Sequence, residues 1–339
     1  MKRLRSLVIG FVAVIAIAGI VGFFLPRTVT AARSIIIKAP PSRVFAVSQS
    51  LRAFARWSPW TSLDPNMKFS FEGPESGVGQ KLTWSSRHRD VGDGSLQITD
   101  AVRDQRVGFA IRYDGMTGAR SSLDLAPDAA GTKVTWSFDY DVGENPFTHY
   151  VALFVPGMVG NTYAKGLANL KAYVEAIPDV DISDLDVSRV FVPQQMLIAV
   201  HTTTENSPQS MAMSLANSYL VLTQTLAGTG LAQNGEPISK AEGVKSGKIE
   251  LEAALPVASV PEGTKLPSGV VTTKSDAGPA LRLVHHGSYA SLQTSYLQLL
   301  AYALTNGWKV RGSTWNEYVT EPAKTAGDNL ETDVYLPVE

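Results

Sequence analysis

The chain has 339 residues, enough for two domains of ordinary size and a short extra segment. Hydrophobic residues make up 44% and charged residues 18%, which excludes a disordered chain. The formal net charge is −1 and no Lys/Arg block follows the first five residues, so nucleic acid is not an expected partner; the lack of cysteine excludes disulfide frameworks, thiolate nucleophiles and cysteine-bearing zinc sites.

Lys2, Arg3 and Arg5 precede an uncharged run from Leu7 to Leu25. At about 1.5 Å per residue, those roughly 19 residues would cover about 28 Å, close to a hydrocarbon core of about 30 Å. The expectation is an N-terminal transmembrane helix within residues 1–32. The basic residues ahead of it set a cytoplasmic N-terminus, with the folded part on the extracytoplasmic side of a bacterial cytoplasmic membrane. Val29-Thr30-Ala31 also fits a cleavage site, so retained anchor and cleaved signal both stay open.

From Arg33 the pattern becomes strand, with the β-branched Ser34-Ile35-Ile36-Ile37-Lys38. Pro40-Pro41 ends it and starts a helix from Ser42 to about Arg56. A meander follows: Phe69–Phe71, Lys81–Trp84, Ser95–Val102, Val107–Tyr113, Ser121–Leu125 and Lys133–Tyr140, with Asp93-Gly94 and Ala130-Gly131 as turns. A long apolar helix, about Phe147–Ala176, closes the segment. Gly157, Gly160 and Gly166 within it cost about 1 kcal/mol each against alanine if helical. They either permit close packing on the sheet or mark a kink at Pro156-Gly157.

The run Ile-Lys-Ala-Pro-Pro-Ser-Arg-Val-Phe at 37–45, with Trp57-Ser58-Pro59-Trp60 after the helix, resembles the polyketide-cyclase-like (SRPBCC) branch of the START-like superfamily. The resemblance covers 33–177 and implies a curved sheet gripping the last helix over an apolar cavity. Trp57, Trp60, Trp84 and Trp136 either line such a cavity or serve as ordinary core and rim.

Pro178–Asp186 is short and acidic and reads as a linker (178–186). Residues 187–339 then carry two copies of one pattern. Leu197-Ile198-Ala199-Val200-His201 and Leu281-Arg282-Leu283-Val284-His285 open the copies, and Leu255-Pro256-Val257 and Leu336-Pro337-Val338 close them. Opening histidine and closing proline lie about 55 positions apart in the first copy and about 52 in the second. Between them, helices run from Ser207 to about Ala227 and from Ser288 to about Asn306. A duplicated half-sheet implies pseudo-twofold symmetry and a cleft on the axis.

The chemically loaded stretch is Trp315-Asn316-Glu317-Tyr318. Successive strand residues face opposite ways, so either Trp315 with Glu317 or Asn316 with Tyr318 points into the cleft. A carboxylate beside aromatic faces suits an apolar cation, through cation–π attraction of up to about 2 kcal/mol when desolvated. An exposed glutamate on an amphipathic strand is the plain alternative.

His285-His286-Gly287-Ser288-Tyr289, Asn306-Gly307-Trp308, Trp315-Asn316-Glu317-Tyr318 with Glu321-Pro322, and the ending Leu330–Val338 resemble the GyrI-like effector-binding domain. The resemblance implies binding of small, often cationic or amphipathic molecules between the halves, and in some members hydrolysis by a Tyr and a Glu. It places Trp315, Asn316, Glu317, Tyr318, Tyr289 and His285 at the ligand. Here the glutamate that usually sits two residues before the strand tyrosine is Asn316, and Glu317 follows one place later.

The expected fold class is therefore α+β: a transmembrane helix, a START-like helix-grip domain and a duplicated GyrI-like domain. The expected function is membrane-anchored binding of a small apolar, amphipathic or cationic ligand, with neither catalytic residues nor a metal or cofactor. A hydrolase using Tyr318 and Glu317, and a non-catalytic envelope scaffold or stress protein, are the alternatives.

Overall fold

The computed structural model describes residues 2–113, 116–320, 325 and 327–339. It is a mixed α+β protein with two antiparallel sheets, divided into two compact units: Met1–Ile177 with Thr305–Gly307, and Pro178–Leu304 with Trp308–Glu339.

Helix α1 spans Lys2–Phe23. Among the described residues no helix is long and apolar enough to cross a membrane, which corrects the expected transmembrane helix. The physical reason is length. Leu25 precedes Pro26, which disfavours the helical conformation there, and the helix stops at Phe23 rather than continuing through the apolar run. Its uncharged part, from Leu7 onward, is roughly 17 residues and about 26 Å, short of a core of about 30 Å.

The first unit continues with β1 (Thr28–Ile37), α2 (Pro41–Ser48) and α3 (Leu51–Trp57). The single helix expected over 42–56 is two, because buried Ser50 caps a fresh start by accepting from the Ala53 amide at 3.2 Å. Then come β2 (Lys68–Glu72), β3 (Lys81–Ser85), β4 (Gly94–Val102), β5 (Arg106–Tyr113), β6 (Met116–Asp128) and β7 (Gly131–Asp141). They form one sheet in the order β1-β7-β6-β5-β4-β3-β2. After a 3-10 turn at His149–Leu153, α4 (Val155–Glu175) begins with Pro156 in its first turn, where a missing amide hydrogen costs nothing.

Tyr163, Leu167, Leu170 and Val174 recur at helical spacing and form the buried stripe of α4. The Tyr163 ring stacks on Trp136 at 3.9 Å, and Trp57, Trp60 and Phe54 pack edge-on or tilted around that pair. Trp136 Nε1 donates to Ser121 Oγ at 2.8 Å, and Ser121 in turn donates to the Ser137 carbonyl. Three of the four tryptophans thus pack as core and rim. Trp84 alone borders an open groove of about 680 Å³ along β3 to β6, with Lys81 and Arg112 on its walls.

The second unit comprises β8 (Val187–Val192), β9 (Met196–Glu205), α5 (Pro208–Thr229), β10 (Ile238–Lys245), β11 (Lys248–Val257), β12 (Val270–Lys274), β13 (Gly278–His286), α6 (Leu292–Thr305), β14 (Trp315–Tyr318) and β15 (Glu331–Pro337). Its sheet order, β12-β9-β11-β10-β14-β15-β13-β8, reads symmetrically from the centre. Each copy contributes a strand–helix–strand–strand module, and the modules meet at β10 and β14. The short strand ahead of each copy pairs with the other copy: β8 lies on β13 and β12 on β9.

Both helices cover one face of this sheet. Leu222 of α5 packs on Ile198, Ala253 and Leu255, while Leu299 and Ala303 of α6 pack on Leu281, Leu283 and Val334. Helix α5 runs past Gly228 and ends at Gly230, whose left-handed backbone (φ +73°) turns the chain out. Before α6 a 3-10 turn at Tyr289–Ser291 occupies what the sequence presents as its first turn.

Candidate functional site

The site is built on the central strand pair. Ser239 of β10 stands opposite Asn316 of β14, and Asn316 opposite Val334 of β15. Directly opposed residues share a face, so Asn316 and Tyr318 point to the helix side and Trp315 and Glu317 to the other.

On the helix side Asn316 Nδ2 donates to Ser239 Oγ at 3.1 Å and to Tyr296 OH, from α6, at 2.6 Å. Tyr318 OH and Ser239 Oγ are 2.7 Å apart. The Tyr318 ring lies edge-on to Tyr219 of α5 at 6.1 Å and near Tyr289 at 5.2 Å. Four phenols, from α5, α6, β14 and the turn before α6, thus gather around one buried amide. Burial raises the pKa of Tyr318, of Tyr219 and of Tyr289, and pushes Tyr296 up to about 12 against the opposing Asn316 hydrogen bond. All four are neutral near pH 7.

His285 sits on β13 in the same face row as Thr332 and Tyr318. Its Nε2 donates to the Ser288 carbonyl at 3.1 Å, which leaves Nδ1 to accept from Ser295 Oγ at 2.9 Å. Both ring nitrogens are satisfied, and the histidine ties β13 to the turn that presents Tyr289.

On the opposite face Trp315 stacks on Tyr335 at 5.0 Å, nearly parallel. Tyr335 OH donates to Glu317 at 3.2 Å and approaches Asp333 at 3.4 Å, while Arg282 pairs with Asp333 at 2.7 Å. Burial raises the Glu317 pKa, opposed by hydrogen bonds from Tyr335 and Trp315. A groove of about 340 Å³ beside Trp315 carries Arg311 and Lys240, the latter held by Glu242 at 2.9 Å and Asp276 at 3.0 Å.

The six residues singled out in the sequence therefore divide. Asn316, Tyr318 and Tyr289 gather at the seam with His285 behind them, and Trp315 and Glu317 face away. Glu317 and Tyr318 cannot address one bound atom, so the water-activating pair considered from sequence is not assembled. Glu321-Pro322 lies outside the described residues. Ser239, Tyr219 and Tyr296 join the site from the structure alone: both tyrosines lie at the helical spacing of their leucines, and Ser239 belongs to no motif. A hydroxyl recurring in a leucine stripe was the available signal.

Comparisons with known proteins give a likeness for the first unit. Residues 28–175 match the family model described as polyketide cyclase / dehydrase and lipid transport. No curated protein matches. Among solved structures, the EcmrR C-terminal domain is 17% identical, with 46% of this chain and 98% of that chain covered at a TM-score of 0.39. A hydrolase from Listeria innocua is 14% identical, with 45% and 92% covered at 0.33. Protein CV1439 from Chromobacterium violaceum is 20% identical, with 46% and 100% covered at 0.33. The family match covers less than half of the chain and makes the first unit similar to the polyketide-cyclase-like (SRPBCC) type.

Proposed function

We propose that the protein binds small, neutral, largely apolar molecules, with the seam between β10 and β14 as the site. The observation that carries this reading is the exchange of faces along β14: an amide, Asn316, stands among four tyrosines, while the carboxylate of Glu317 is on the other side beside Tyr335. A wall of neutral phenols with one amide gives apolar contact and a little directed polarity, the usual make-up of a small-molecule site. The likeness of the first unit to a family whose description includes lipid transport fits an apolar ligand. Within that unit Trp57 and Tyr163 pack directly on Trp136 beneath α4.

Tyr289 is only half-buried. Titration of the full chain with 1-methoxynaphthalene and with (1-naphthylmethyl)trimethylammonium, read by naphthalene fluorescence, tests the reading. Saturable binding of the neutral probe, weakened about tenfold in Tyr289→Ala through loss of aromatic contact, supports it. Absence of saturable neutral binding, or tighter binding of the ammonium, sinks it.

A further inference from the structure

The seam holds two buried polar atoms that make no hydrogen bond. Asn316 Oδ1 is one; its residue is 6% exposed, and both amide hydrogens are already engaged by Ser239 and Tyr296. Thr332 Oγ1 is the other, in a residue 0% exposed that stands directly opposite Tyr318 on the same face. A buried acceptor left unmade keeps its full desolvation cost, and native structures hold few such atoms without a reason. These two sit one strand row apart, beside the same tyrosine, where Tyr219 and Tyr289 meet Tyr318.

Their chemistry is specific. An amide oxygen can only accept, and its lone pairs point where the two amide hydrogens do not. A threonine hydroxyl accepts and donates. The surrounding phenols are neutral, and Tyr318 is already linked to Ser239. What the seam lacks is therefore a donor brought from outside on an apolar body.

From this we infer that the seam selects ligands carrying a hydroxyl or N–H group on an aromatic or otherwise apolar frame, received by Asn316 Oδ1 with Thr332 Oγ1 beside it. This rests on the seam being the binding site and adds the class of ligand it prefers. A carboxylate at position 316 would reward charge; an amide rewards a neutral donor. An ether of equal shape binds less tightly, because it brings no hydrogen for Asn316 Oδ1 and that acceptor stays unmade.

A matched pair of probes tests it in the full chain: 1-naphthol, which carries the donor, and 1-methoxynaphthalene, which does not. Expected is binding of 1-naphthol about tenfold tighter than of the ether, the yield of one well-made buried hydrogen bond. That ratio falls toward one in Asn316→Leu. It falls partway in Thr332→Val, a near-isosteric change that keeps the fold if the leucine variant does not. Equal affinity for the two probes in the wild type overturns the inference while leaving the seam as a site. So does a ratio untouched by both variants, or a high-resolution complex in which a water caps Asn316 Oδ1 with 1-naphthol bound. Failure of both probes to bind overturns the site itself.

Discussion

Gly166 lies on the buried face of α4, and a Cβ built there would fall inside the contact distance of the Trp136 ring, with Pro59 at 3.2 Å behind it. Trp136 cannot retreat: Tyr163 stacks on one face, Trp57 packs against it at 5.4 Å, and its Nε1 is held by Ser121. Gly166→Ala gains about 1 kcal/mol of helix propensity. Against this, a methyl forced into a close-packed aromatic stack costs about 1–3 kcal/mol, and with ring atoms that cannot move aside the upper end applies. The net expectation is destabilisation of about 2 kcal/mol. Gly157, on the same helix, has nothing within 4 Å of its Cβ position, so Gly157→Ala should stabilise by roughly 0.5–1 kcal/mol. Urea denaturation followed by near-ultraviolet circular dichroism, which reports the tryptophan stack, gives both midpoints. Equal shifts in the two variants, or a stabilised Gly166→Ala, would refute the packing account of this glycine.

Three further outcomes are expected. Arg282→Met strands the nearly buried Asp333 carboxylate, so it should cost roughly 3 kcal/mol, and adding Asp333→Leu should recover most of that. A chemical denaturation series on the two variants decides this, and an unchanged single mutant contradicts it. Tyr296 has its pKa raised from 10.0 to about 12, and Tyr219 and Tyr318 are raised as well. A raised folded pKa means stability is intact below the unfolded value and lost as pH climbs through the folded one. The second unit should therefore weaken between about pH 10 and pH 12, in step with tyrosinate absorbance; a flat stability profile across that window argues against burial of these phenols. Ser207 caps α5 through the Ser210 amide at 3.3 Å, so Ser207→Ala should cost about 1 kcal/mol and Ser207→Asp nearly nothing, by thermal melts.

The duplication was legible because it is a pattern of whole elements. Two apolar strands ending in His201 and His285, and two Leu-Pro-Val closures, predict the halves that the strand order displays. The closing strand β15 is buried on both faces, Asp333 and Tyr335 as well as Val334 and Leu336, which its Glu-Thr-Asp-Val-Tyr-Leu order does not announce. What a sequence does not carry is the far partner. Tyr219 and Tyr296 fit the leucine stripes of their helices, and nothing local says that one hydroxyl reaches the Ile238 carbonyl at 2.6 Å and the other Asn316. Helix ends were the weakest reading, for a local reason each time: the Ser50 cap, the two glycines near the end of α5, and the apolar residues past Phe23 that the helix leaves out.

One position along β14 decides the character of the seam, and the reverse change should show it. Strand residues alternate faces, so moving a carboxylate from 317 to 316 carries it from the Tyr335 side to the tyrosine-walled side. Asn316→Glu would bury an ionisable group with no basic partner among the described residues there, since Arg282 pairs with Asp333 on the other face. Desolvation would hold its pKa above the usual carboxylate range, and the folded state should lose a few kcal/mol as pH rises from the unfolded carboxyl value through the raised folded one. In the same pH range the charged form, ringed by four aromatic faces, should begin to bind (1-naphthylmethyl)trimethylammonium, each good cation–π contact contributing up to about 2 kcal/mol. The gain must therefore grow with pH, and the preference for 1-naphthol must decline alongside it. If Asn316→Glu folds, as circular dichroism would report, and gains no affinity for the ammonium probe at any pH up to 9, then the amide at 316 does not set ligand class in this protein.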